Sequence, residues 1–492
     1  MKHGNKLVLL SVVAFAGGVL AGCNDTSKNS KGDGSDEKVD SVEVSAVQKV
    51  INEAQEMDEA DLYKKAVDEI NGKSFTVVAN SSRMKDAFPA WVDYINKNYK
   101  TKLGLTSDFQ AGFSTTQPKN NQIFNTIKGD VTGANHSISM TLIQDGSQIS
   151  TKMIKTGYLL NYIPKEWKAS GASEAADGHP LALQSLSKVF AYNSIGTAEG
   201  AFNNVFDFTM KDDGTPFSTQ FMSPASEPVG ANMLYMLTNP TYTRVVKEAY
   251  DNATDTQKKI IDAIIEEDNK TTFNCFGDKP KTVVAAYGAS GIKAQIENAG
   301  LNADPNAKYA LAWEFLFLKN YQVVTDDGPI CTNLTQKSAA GAGGLLVYSK
   351  FRSITESDTV TLKDMRVAAY DNGYSGFGGY MYKHYLQVLS TSPYPWTSCA
   401  IIQFMTCHAE GFKPWGKDMG GYSANPQVQA KFDHSRDGYN EDGTTIDYPI
   451  KNDKGYDWWT KNEAGKGRLV LEDGAYCSSV ATAMSDWISY LR

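Results

Sequence analysis

The sequence is poor in the spacings that carry catalysis. It holds no G-x-S-x-G elbow, no H-E-x-x-H pair, no Walker loop and no G-x-G-x-x-G turn. Each of these serves a particular chemistry: a strained turn to expose a nucleophile, two imidazoles on one helix face for zinc, ringed amides for phosphate. "YGASG" and "NGYSGFGG" have suitable residue types at unsuitable spacing. Histidine is scarce, and no two of His136, His179, His384, His408 and His434 form an i, i+4 pair. Basic clusters are missing as well. Lys and Arg number 48 against 56 Asp and Glu, a net charge of −8 with no dense cationic block. That argues against nucleic acid as a partner, because phosphate neutralisation needs clustered cations. After residue 22 no apolar run reaches the length of a membrane span.

Cysteine is sparse and its spacing says little. The absence of C-x-x-C argues against a zinc ribbon or thioredoxin-like centre. Cys275, Cys331, Cys399, Cys407 and Cys477 would allow two disulfides and one thiol in an exported protein, with pairing undecided. The sixth, Cys23, is different. Lys2 and Lys6 precede "LVLLSVVAFAGGVLAG" and then Cys23, a positive region, an apolar region and small residues at a break, which together make a secretory signal. "LAGC" resembles the lipobox of bacterial lipoproteins, in which the cysteine becomes an acylated N-terminus. On that reading residues 1–22 are a signal peptide and 23–40 a flexible tether from membrane lipid to folded body.

What remains has a globular composition, 41% apolar and 21% charged, and is long enough for two or three domains of ordinary size. Two short helices are expected over 41–73, with Val44, Val47, Val50 and Ile51, then Leu62, Val67 and Ile70, at helical spacing. "SFTVVANSS" reads as a buried strand entering a polar loop. "DAFPAWVDYINKNY" reads as a helix capped by Asp86 with Pro89 in its first turn. "ISMTLIQDGSQ", "SLSKVFAYNS", "GGLLVYSKF" and "MRVAAY" read as further strands. "SEPVGANMLYMLTNP", "TDTQKKIIDAIIEEDN" (Thr254 and Gln257 at capping-box spacing) and the buried "TSPYPWTSCAIIQFMTCHAEGF" read as helices. Strands alternating with helices indicate an α/β fold with mostly parallel sheet. From about Lys431 periodicity weakens. There "DHSRDGYNEDGT" offers Asp433, Ser435, Asp437 and Gly438 like the start of a calcium loop, but Thr444 stands where the bidentate Glu belongs, so it reads as an ordinary turn.

Short polar loops follow the apolar strands: Asn80–Ser82, Gln144–Ser147, Tyr192–Ser194, Ser226–Pro228 and Asp326–Pro329. In open α/β sheets ligands bind beyond the carboxyl ends of strands, where hydroxyls, amides and helix N-termini converge. The lipobox, the tether, "DLYKKAVDEINGKSFTVVANSS" and the late "TSPYPWTSCAIIQFMTCHAEGF", in that order over about residues 58 to 425, resemble the solute-binding lipoproteins of bacterial ABC importers. The similarity is to the ferric-ion-type branch of type 2 periplasmic binding proteins.

That resemblance implies two α/β lobes joined by crossing strands, lobe one over 74–192 and 366–430 and lobe two over 193–365. "SLSKVFAYN" and "MRVAAYDNG" would be the crossings, and 431–492 an extension packing on lobe one. It implies one cleft wall bearing Asn80, Ser81, Ser82, Gln144 and Asp145, and another bearing Ser226, Glu227, Asp327 and Gly328. Asn193 and Tyr370 would lie near the hinge and Tyr374 as a stacking wall. The function implied is capture of a small-molecule or ion solute for a permease and its ATPase, by a monomer held outside the cell membrane through lipid on Cys23, without enzyme activity, cofactor or resident metal. No Tyr-Tyr dipeptide supplies the paired iron ligands common in that branch, and the nature of the solute stays open. The alternative is a surface-anchored hydrolase acting on polysaccharide or peptide, for which Glu227 and Asp327 would be the paired carboxylates.

Overall fold

The computed structural model describes residues 44–118, 121–197, 200–266, 291–416, 419–432, 450 and 453–491. The signal segment, Cys23, the tether, Cys275 and the calcium-like segment lie outside the described residues.

The two N-terminal helices form at Ala46–Ala54 and Glu59–Ile70, burying Val47, Ile51, Leu62, Val67 and Ile70. The first strand is β1, Ser74–Ala79. The next helix, Met84–Asn98, begins two residues before the expected Asp86 and carries Pro89 inside it. The reason is local: Met84, Lys85 and Asp86 donate to Ser81, Ser82 and Arg83 carbonyls, so an i→i−3 turn has started before Asp86 can cap. The helix Asp255–Glu266 does carry its capping box, with Gln257 N donating to Thr254 Oγ1 at 3.2 Å and Thr254 N to Gln257 Oε1 at 3.0 Å.

Eleven more strands complete one mixed sheet: β2 (Gly112–Thr116), β3 (Met140–Ile143), β4 (Leu159–Leu160), β5 (Ala182–Asn193), β6 (Gln220–Met222), β7 (Gln322–Val324), β8 (Gly343–Val347), β9 (Met365–Val367), β10 (Gly379–Leu389), β11 (Gly421–Ser423) and β12 (Leu469–Leu471). The main order is β2-β1-β3-β10-β5-β8-β6-β7. β2, β1 and β3 are mutually parallel, as are β8, β6 and β7. Between these outer groups β10 and β5 run antiparallel to each other and to β3 and β8 beside them, while β12 pairs parallel with β10. The chain is an α/β protein. No helix among the described residues is long and apolar enough to cross a membrane.

Apolar side chains gather into separate cores along this sheet. One surrounds β1 and β3 with the helices Glu59–Ile70, Met84–Asn98 and Pro395–Cys407; a smaller cluster including Val78, Ile143 and Tyr385 covers the opposite side. The large core surrounds β6 and β8 with the helices Pro228–Leu237 and Ala307–Asn320. β5 and β10 belong to both. Leu183 and Leu386 sit in the first core, while Phe190 and Tyr380 sit in the large one. At about 3.3 Å per residue, a 12-residue strand such as β5 spans roughly 40 Å, enough to run from one core into the other.

Three expectations are corrected. The second long strand is β10, whereas "MRVAAYDNG" forms the three-residue β9 and a 3-10 turn at Ala368–Tyr370. The passage between cores falls inside β5 and β10, so Val367, Tyr374 and Phe377 belong to the large core. From β12 onward the tail packs chiefly on the large core, whereas Phe432 before it still packs on the first. β12 pairs with β10, and an 18-residue helix, Gly474–Leu491, lays Val480, Met484, Trp487, Ile488 and Leu491 into the large core. Cys399, Cys407 and Cys477 are free thiols, so the five cysteines after Cys23 do not supply two disulfides.

Candidate functional site

Midway between the cores the long strands turn polar. β5 reads Gln184-Ser185-Leu186-Ser187-Lys188, and opposite it β10 reads Tyr382-Lys383-His384. Residues two apart share a face, so Gln184, Leu186 and Lys188 point one way, joined there by Tyr382 and His384, which are registered against Leu186 and Gln184. These five form the floor of a cleft of about 360 Å³.

Lys188 is fully buried in that floor. Its Nζ lies 3.3 Å from Asp327 Oδ1 and 3.5 Å from Glu227 Oε2. Burial disfavours its charge, but Asp327 and Glu227 outweigh that and its pKa is raised. Glu227 is raised by burial against the pull of Lys188. Both carboxylates sit at helix starts. Glu227 caps Pro228–Leu237 by accepting from Gly230 N at 2.5 Å, and Asp327, in the first turn of Asp327–Leu334, accepts from Val347 N at 3.2 Å. The positive ends of the two helices help to hold negative charge there. Beside Lys188, His384 is pushed down to about 3, by burial first and then by the positive charge of Arg83. It is a neutral imidazole at any ordinary pH.

One wall rises from the loop after β1. Asn80 Oδ1 accepts from Gln144 N at 3.0 Å, tying the β1 loop to the end of β3. Ser81 Oγ accepts from Trp415 Nε1 at 3.2 Å, and Arg83 donates to Pro414 O at 2.9 Å. The other wall carries Glu227 and Asp327, with Lys350 3.6 Å from Asp326. Asn80, Ser81, Ser82, Gln144, Glu227 and Asp327 therefore line one cleft.

The remaining candidates lie elsewhere. Asp145 turns away because its backbone is left-handed (φ 77°), and its carboxylate accepts from Gln148 N at 3.1 Å, Gln148 Nε2 at 2.5 Å and Asn232 Nδ2 at 3.1 Å. With Ser226 it lines a second cavity of about 470 Å³ beside the helix Gly474–Leu491. Asn193 is buried at the far end of β5, donating to Leu334 O at 2.9 Å. Gly328 N donates to its own helix cap, Asp326, at 3.3 Å. Tyr370 donates to Asp453 at 3.4 Å and Tyr374 to Phe377 O at 2.8 Å, both inside the large core's surroundings.

Sequence reasoning missed the floor: Gln184, Lys188 and His384, with Arg83, Lys350 and Trp415 at the walls. A signal existed. A lysine inside the otherwise apolar "SLSKVFAY" and a histidine inside "YMYKHYLQVL" are polar interruptions of buried strands, which need a reason. Among the described residues no group of three or more His, Cys, Asp and Glu is placed to hold a metal ion.

No family model and no curated protein matches the chain. Its fold is similar to solved structures at low identity. One is an ABC transporter substrate-binding protein from Bradyrhizobium japonicum USDA 110, 11% identical over 86% of this chain and 100% of that one, TM-score 0.48. Another is iron-bound HitA from Pseudomonas aeruginosa, 11% identical over 85% and 99%, TM-score 0.48. A third is MotA from A. tumefaciens B6 in complex with glucopine, 10% identical over 85% and 99%, TM-score 0.47.

Proposed function

We propose that this chain is the solute-binding subunit of an ABC importer, anchored outside the cell membrane by lipid on Cys23, and that it works as a monomer and not as an enzyme. One observation carries the reading: two long strands run from one core into another and turn polar between them, under walls contributed by both cores. Small rotations about such strands open and close a cleft without disturbing either core. A volume of about 360 Å³ suits a small solute. Glu227 and Asp327 serve in this reading as counter-ions of Lys188 and are not free to act as an acid–base pair. The closed form delivers the solute to a permease, whose ATPase drives release.

The test is ligand-dependent stabilisation of the purified chain. A true solute raises the melting temperature by mass action and reduces the radius of gyration in solution scattering as the cleft shuts. A broad solute screen with neither response overturns the reading. The anchor is tested separately: metabolic labelling with an alkyne fatty acid marks the wild type and not Cys23→Ser, and equal labelling of both overturns it.

A further inference from the structure

The cleft floor holds two side chains whose hydrogen-bonding capacity is half used. Gln184 and His384 face each other across β5 and β10, with Gln184 Nε2 3.1 Å from His384 Nδ1. They are 0% and 6% exposed. Gln184 Oε1 is buried with no hydrogen-bond partner, a state that costs stability unless something else supplies the missing donor. Nε2 is the remaining polar atom of the His384 ring.

The two orphan positions are coupled. With Gln184 Nε2 donating to Nδ1, the pair shows the cleft an acceptor, Gln184 Oε1, and a donor, the Nε2–H of His384. Rotating the amide half a turn reverses both roles, leaving an amide NH2 and a bare Nε2. Either way one donor and one acceptor stand side by side, without charge, since burial keeps the imidazole neutral.

The rest of the lining adds charge. Arg83, Lys188, Lys350 and Arg352 face Glu227, Asp326 and Asp327 among the described lining residues, one positive charge in excess. The carboxylates are occupied: Glu227 and Asp327 by Lys188, and Asp326 by Lys350. They are not disposed to chelate a bare cation.

Resting on the solute-binding reading above, we infer that the solute is a small organic monoanion bearing an uncharged group with a donor and an acceptor close together, a carboxamide or paired hydroxyls, seated on Gln184 and His384. Its carboxylate is balanced by the cationic excess of the lining. The neutral head satisfies both orphan positions at once, which a simple dicarboxylate, a polyamine or a metal ion does not.

Thermal-shift titration of the full chain at pH 7.5 tests this with defined probes. One arm holds hydroxy- and amidocarboxylates: gluconate, glycerate, lactate, succinamate and N-acetylglycine. The others hold succinate, glucose, spermidine, inorganic phosphate, and Mn2+ or Zn2+. The expected result is that the largest stabilisation falls in the first arm, and that Gln184→Met and His384→Phe each weaken that probe about ten-fold or more. Unliganded melting temperatures show that the variants fold, and the two variants guard against loss of either one. Strongest binding by succinate, glucose, spermidine, phosphate or metal overturns the inference and leaves the solute-binding reading standing. Undiminished binding of the carboxylate by both folded variants also overturns the inference alone. Silence in every arm overturns both.

Discussion

Lys188 Nζ lies 3.3 Å from Asp327 Oδ1 with both side chains nearly out of reach of water. An ammonium in such a place survives only through its partners, because desolvation of an isolated charge costs more than folding can supply. Lys188→Met leaves Glu227 and Asp327 buried together without a counter-ion. We expect a loss of about 3–5 kcal/mol at pH 8, read by urea denaturation. Without the ammonium that opposes it, burial raises the Glu227 carboxyl further in the folded variant, and a raised acid contributes stability at low pH that disappears as pH rises. The deficit should therefore shrink at pH 5. A deficit equal at both pH values would show that the cost is packing and not charge.

Asp145 is the one non-glycine residue with a left-handed backbone among the described residues. Its short carboxylate suits that region because it bonds locally, to Gln148 N and Nε2, and it also accepts from Asn232 on the helix Pro228–Leu237. Asp145→Ala removes these bonds and keeps the strained φ, for an expected loss of about 2–3 kcal/mol. Asp145→Asn tolerates the same backbone and retains an acceptor, so it should lose less than about 1 kcal/mol. Equal losses in the two variants would deny the backbone its part.

These two sites show what the sequence could and could not reveal. β1, the helix Asp255–Glu266 with its capping box, and the polar turn at Asn80–Ser82 follow from local pattern, because each is decided within a dozen residues. Gln144 and Asp145 are neighbours, yet one lines the cleft and the other a second cavity. No spacing argument separates them, since a single left-handed residue redirects the side chain. Gln184 and His384 meet only because strands 200 residues apart pair in register. The terminal helix was legible at Val480, Met484, Trp487, Ile488 and Leu491, a clear helical stripe, but the Gly- and Asn-rich stretch before it hid the change of period.

That helix is fixed by an unusual bond. Trp487 Nε1 donates to Glu314 Oε2 at 3.0 Å inside the large core, and burial drives Glu314 far above the ordinary carboxyl range. Burial thus favours the protonated form of Glu314, and Glu314→Gln should cost under about 1 kcal/mol at pH 7, since an amide oxygen accepts the same bond. Trp487→Ala removes a fully buried indole and strands the acid, for about 3–5 kcal/mol. Denaturant midpoints of the two variants decide it: comparable losses would mean that Glu314 is ionised in the fold.

Glu472 supplies the pH dependence. Its oxygens accept from Gly146 N at 3.1 Å, Lys383 N at 3.1 Å and Tyr385 at 3.0 Å, linking the C-terminal segment to both β10 and the turn capped by Asp145. Burial, and then the nearby Asp145, push it up to about 7. In the unfolded chain the same carboxyl titrates near 4.5. Below that value both states are protonated and the stabilisation is complete; between 4.5 and about 7 only the folded state keeps the proton. Stability from this group therefore declines as pH rises through that window and is gone above it. The difference is on the order of 3 kcal/mol between pH 4.5 and pH 8. Glu472→Gln cannot titrate, so the gap between wild type and variant should change by that amount across the window, with the wild type relatively better at the acid end. His384 has the opposite sense, its depressed pKa eroding stability as pH falls below about 6.5, but it is common to both proteins and cancels. A gap constant from pH 4.5 to 8 would mean that Glu472 is solvated in the native state, and that the C-terminal segment does not close over it.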